Sequence, residues 1–80
     1  MKLVTYGLIE ETLILKLNVV KLYGVVAYEN IGSDNELIIL DSIRNISTNK
    51  EVVQGLIDNC NKYNLSIIHL EDVINDMINH

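Results

Sequence analysis

The sequence predicts an α+β fold, a three-stranded antiparallel meander followed by a two-helix hairpin (β-β-β-α-α) packed on one sheet face. Two observations predict it. Before Ser47 the aliphatic residues recur at every second position, the period of a strand, and from Ser47 to Ile78 they recur at three and four, the period of a helix. Residues 1–80 carry no linker, repeat or low-complexity segment, so one α+β domain spans them.

In the first strand, Val4, Tyr6 and Leu8 alternate with Thr5, Gly7 and Ile9, and Leu13, Leu15 and Leu17 with Ile14 and Lys16. The pattern predicts one strand from Leu3 to Leu17, bent or bulged at Glu10-Glu11, where two adjacent acids interrupt the alternation. Asn18-Val19 is the expected hairpin tip, to within a residue or two, because Asn tolerates the left-handed backbone. The second strand runs from Val20 to about Asn30. Leu22, Gly24, Val26 and Tyr28 lie on one face and Tyr23, Val25 and Ala27 on the other. Ile31-Gly32-Ser33-Asp34-Asn35 is the clearest turn. The third strand, Glu36 to Ile43, sets Leu37, Ile39 and Asp41 against Ile38, Leu40 and Ser42.

Thr48 stands three residues before Glu51, the spacing of a capping box, and opens a helix whose stripe is Val52, Val53, Leu56, Ile57 and Cys60. Asp58 and Lys62 are spaced to pair on its surface. Gly55 costs this helix about 1 kcal/mol against alanine, which a close approach by the sheet or a second chain would explain, as would simple drift. Ser66 opens the last helix. Leu70, Val73, Ile74, Met77 and Ile78 form one stripe, and Glu71, Asp72, Asn75, Asp76 and Asn79 the opposite face. The connection Asn64-Leu65-Ser66 is short enough to make the two helices antiparallel or steeply crossed.

Composition narrows the classes of function. The chain is 49% apolar and 21% charged, which argues for a folded protein. Its only aromatic residues are tyrosines, so Ile, Leu and Val must fill the core. A net charge of -5, with no Lys or Arg after Lys62, argues against direct nucleic-acid binding and against attraction to anionic membranes. There is no signal-peptide pattern and no apolar run near the ~20 residues that span a bilayer, so a cytoplasmic protein is expected. Abundant Ile, Asn and Lys without Pro or Trp suits an AT-rich bacterial genome.

Several short strings carry a resemblance. They are Tyr23-Gly24-Val25, Asn45-Ile46-Ser47-Thr48, Cys60-Asn61, Leu65-Ser66, Ile68-His69-Leu70, Asp72-Val73-Ile74 and Asp76. Together they make the chain, from Val4 to Ile78, similar to a family of small uncharacterised proteins of clostridial Firmicutes, a domain of unknown function. The run from Leu65 to Asp76 is the most specific part. Ile67 departs from the family pattern, which often has proline there; the change affects only the stiffness of the turn. The resemblance implies no activity.

Candidate chemistry is sparse. His69, Asp72, Asp76 and His80 fall on one stripe of the last helix, and imidazole and carboxylate four residues apart can share a divalent metal. Against that, His69 is placed to bond back to the helix cap, Asp72 and Asp76 suit any solvated face, and His80 is terminal. No cofactor is expected. Cys60 is the only cysteine and sits on an apolar stripe, which suits a small buried thiol rather than a nucleophile. Glu10 and Glu11 point to opposite faces of a strand and cannot act together as acid and base. No glycine-rich loop cradles phosphate. The two helices have helix-turn-helix spacing, but the outer face of the second offers acids where a recognition helix needs donors.

Protein contact remains. Two short helices cover one face of a three-stranded sheet, and both faces are apolar. The expectation is a non-enzymatic interaction module or regulator that forms a homodimer by sheet face or strand edge, with Tyr23, Val25, Ala27, Ile38 and Leu40 at the interface. The alternatives are an acidic accessory protein that modulates a recombinase or transcription factor by binding it, and a divalent-metal-binding module built on the last helix.

Overall fold

A computed structural model describes residues 4–31 and 36–78. The element order is β1 (Thr5–Leu15), β2 (Asn18–Ile31), β3 (Glu36–Ser47), α1 (Lys50–Lys62), a short 3-10 turn (Ile67–His69) and α2 (Leu70–Ile78). The strands form one antiparallel sheet in the order β1-β2-β3, and α1 packs across it. The predicted meander and helix pair are therefore present, and the expected turn residues 32–35 lie outside the described residues.

β1 pairs with β2 without interruption from Thr5↔Tyr28 to Leu15↔Asn18. The expected bend at Glu10-Glu11 does not occur. The sheet absorbs the two acids on opposite faces, where Glu10 meets Lys21 at 3.5 Å and Glu11 meets Arg44 at 3.8 Å. The hairpin tip is Lys16-Leu17 rather than Asn18-Val19, because Asn18 is already paired with Leu15. Lys16 takes the left-handed backbone, with φ 50°, an unfavourable choice for a residue with a Cβ.

β3 runs four residues past the expected Ile43, and its alternation is broken twice. The register slips between Ala27 and Tyr28 and again between Tyr23 and Val25. After the first slip, Ile38 lies opposite Glu29 and Ile39 opposite Tyr28, while Asp41 lies opposite Ala27. Ile39 and Asp41 therefore face opposite sides, not the same side as strict alternation predicts. At the second slip β3 passes close over Gly24. A Cβ at Gly24 would collide with the Ile43 carbonyl oxygen and approach Arg44 Cα to 2.9 Å. Asn45 supports this irregular segment with φ 59°.

α1 is capped by Asn49, one residue later than the expected Thr48. The Asn49 side chain accepts from the Glu51 N–H at 3.0 Å, and Ser47 Oγ accepts from the Asn49 N–H at 3.0 Å. Its carboxyl end closes on Asn64, with φ 50°. There the Leu65 N–H reaches the Cys60 carbonyl at 2.9 Å and the Asn64 N–H reaches that of Asn61 at 3.3 Å. The two bonds make a Schellman closure with Asn in the usual glycine position. Asp58 accepts from Gln54, and the Lys62 ammonium sits 5.3 Å from the Tyr63 ring centre, so the expected Asp58–Lys62 pairing gives way to other partners. Ser66 precedes a 3-10 turn, not α2 itself, and its side chain makes no cap bond; α2 begins at Leu70.

The core lies between the sheet and the helices. Tyr6, Tyr23, Val25 and Ala27 supply the sheet side; Val53, Ile57, Cys60, Leu70 and Ile74 supply the helical side. Of the predicted stripes, Val53, Ile57 and Cys60 on α1 and Leu70 and Ile74 on α2 are buried, while Val52 is exposed.

Candidate interaction surface

The sheet has one covered and one uncovered face. Residues directly opposite in an antiparallel pair share a face, so Tyr6 with Ala27 and Leu8 with Val25 define the covered side. Gly7 with Val26, Glu11 with Leu22, Leu13 with Val20 and Tyr28 with Ile39 define the other. Nothing in the described chain packs over that second face. Its aliphatic side chains are half-buried or exposed, with Leu13, Leu15, Leu37 and Ile39 the most open.

The residues expected at an interface divide between two environments. Tyr23, Val25 and Ala27 are core residues beneath the helices, with Val25 and Ala27 at 0% exposure, so they are not available to a second chain. The reason is simple: both faces of β2 are apolar, and the helices settle on the one carrying these three. Ile38 and Leu40 are 41% and 39% exposed. They flank Ile39 on β3, beyond the strip that α1 covers, and the run Leu37-Ile38-Ile39-Leu40 is open throughout.

A polar clamp selects the covered face. The Asn61 carboxamide accepts from the Tyr6 N–H at 2.8 Å and donates to the Tyr6 carbonyl at 2.9 Å. One side chain thereby replaces a neighbouring strand along β1's outer edge. Tyr6 also sends its ring through the core and donates from its hydroxyl to the Leu65 carbonyl at 2.6 Å. Neither contact is visible in sequence spacing, since Tyr6 and Asn61 are 55 residues apart. Burial pushes the pKa of the Tyr6 hydroxyl up, with a smaller contribution from Cys60.

The other candidate chemistry is scattered. His69 closes the 3-10 turn, and Asp72 and Asp76 lie on α2, Asp72 exposed. Among the described residues no three His, Cys, Asp or Glu side chains are grouped to hold a metal. His80, the fourth member of the expected stripe, lies outside the described residues. An open cleft of about 220 Å³ between the helices is lined by Leu56, Asn59, Cys60, Tyr63, Leu65 and Val73. Cys60 is buried, and burial raises its thiol pKa, so it remains a protonated and poor nucleophile at neutral pH. Among the described residues lining the cleft there is no carboxylate, imidazole or cation beside that thiol.

The model of a family of unknown function, DUF6514, matches residues 1–80. The chain belongs to the DUF6514 family. No curated protein and no solved structure matches it. Among the described residues of this DUF6514 chain, no helix is long and apolar enough to cross a membrane.

Proposed function

We propose that this DUF6514 chain is a non-enzymatic protein–protein interaction module or regulator of a clostridial cytoplasm, acting as a homodimer. One observation carries the proposal: a sheet with aliphatic side chains on both faces has a helical layer on only one of them. Contiguous apolar surface of this kind marks contact with another macromolecule. A chain of 80 residues also gains stability from a second copy that its own small core cannot supply. Size-exclusion chromatography with light scattering tests the proposal. The expected mass is twice the 9.1 kDa of the chain, and the mass of a single chain at high concentration would contradict it.

The acids Glu71, Asp72 and Asp76 on α2 favour a second reading. In it, this face meets the basic surface of a DNA-acting enzyme, such as a recombinase or transcription factor. Such a contact should weaken steeply with salt, and binding insensitive to salt would count against it.

A further inference from the structure

The two outer strands of the sheet are treated very differently. On β1, the edge-facing N–H and C=O of Tyr6 are both taken by Asn61, and two adjacent acids, Glu10 and Glu11, occupy the middle of the strand. Side-chain caps and charges are the usual means of stopping a sheet edge from recruiting another strand. β3 has a neighbour on one side only among the described residues, and between Glu36 and Asp41 it carries no such guard. Leu37, Ile38, Ile39 and Leu40 are consecutive, aliphatic and exposed. The open run ends at Asp41, whose carboxylate accepts from the Ser42 N–H at 2.8 Å, just after the register slip near Leu40.

We infer that β3 is the dimer seam, pairing antiparallel with β3 of a second copy across a two-fold axis to make one six-stranded sheet. The inference rests on the proposed self-association and specifies its geometry. The occupant is a second copy because the run is self-complementary. Antiparallel pairing about Ile38 sets Ile38 opposite itself and Leu37 opposite Ile39, so these three meet aliphatic partners on their own faces, while Leu40 lies opposite Glu36. That register also keeps the flanking acids apart, whereas pairing about the Ile38–Ile39 bond would set Glu36 against Asp41. It covers Ile38, which stacking of the two uncovered faces would leave in water. The two uncovered faces then lie side by side as a single wide aliphatic platform.

Cysteine cross-linking tests the seam, with the buried Cys60 left in place. Directly opposed residues in antiparallel strands have Cα atoms about 4.5–5.5 Å apart, within disulfide reach. The expected result is that Ile38→Cys forms a disulfide-linked dimer in a glutathione redox buffer at least tenfold faster than Leu22→Cys, which lies on the uncovered face of β2. Ile38→Lys should leave the circular dichroism spectrum unchanged and reduce the scattering mass to that of one chain. Faster cross-linking of Leu22→Cys, with a dimer that survives Ile38→Lys, would overturn the β3 seam while self-association stands. A single-chain mass for the wild type, with neither cysteine cross-linking, would overturn both.

Discussion

The covered face of the sheet and the uncovered face are built from the same residue types, yet only one is a core. On the covered side Val25 and Ala27 are fully enclosed, and Tyr6 is fixed at its backbone by Asn61 and at its hydroxyl by the Leu65 carbonyl. On the other side Leu13, Leu15, Leu37 and Ile39 are held in strands but, among the described residues, meet no second layer. Hydrophobicity alone therefore did not decide where the helices dock. A polar clamp of defined geometry, Asn61 on the Tyr6 backbone and the Leu65 carbonyl on its hydroxyl, ties the helical layer to one of two greasy faces.

Substitutions on the two faces should separate sharply. Leu70→Ala removes a fully buried side chain of α2 and should cost about 3 kcal/mol, enough to unfold much of so small a domain. Leu13→Ala on the uncovered face should change the stability of a dilute monomer by less than ~0.5 kcal/mol. Urea denaturation of both variants measures the contrast, and equal losses would erase the distinction between the faces.

Gly24→Ala probes the place where the covering elements depend on the uncovered side. Its Cβ has no room beneath the Ile43 carbonyl, and moving β3 away should cost about 2 kcal/mol. A variant as stable as wild type would mean that β3 does not cross so closely. Asn61→Ala should cost about 1–2 kcal/mol by leaving two edge groups of Tyr6 without their partner. In the same variant the Tyr6 amide proton should exchange faster with solvent, an effect that a loss of packing elsewhere would not localise.

Raising the pH should loosen the covered side alone. Burial lifts the Cys60 thiol above its ordinary 9.0 and the Tyr6 hydroxyl above its ordinary 10.0, so the unfolded chain gives up these protons first. Their contribution is intact below about pH 9 and declines as pH rises through the folded values. Thermal melts between about pH 8 and 11 should show a falling midpoint, with part of the fall removed in Cys60→Ala. A small effect of opposite sign is expected at Gly55, where an added methyl group would meet nothing within 4 Å. Gly55→Ala should stabilise α1 by somewhat under about 1 kcal/mol. A destabilised Gly55→Ala dimer would instead mean that a second chain approaches this glycine.

Much of this architecture could be read from residue order. Alternation placed three strands, and the stripes through Val53, Ile57 and Cys60 and through Leu70 and Ile74 placed both helices with their buried sides correct. Local features governed by weak preferences were harder to place. Lys16 occupies a left-handed turn that composition assigns to Asn, and Asn49 caps a helix where Thr48 has the better spacing, because strand register and chain path outweigh a preference of about 1 kcal/mol. The interface expectation failed for Tyr23, Val25 and Ala27 because alternation defines two faces without saying which one the helices choose. Asn61 and Tyr6 make that choice through contacts distant in sequence.

The central claim is that this chain associates with a second copy, and the concentration dependence of thermal unfolding tests it most directly. If two copies associate, the unfolding midpoint should climb steadily as protein concentration is raised a hundredfold or so, because mass action stabilises the associated state. A midpoint that stays fixed over that range would contradict the account and leave the aliphatic strands facing water.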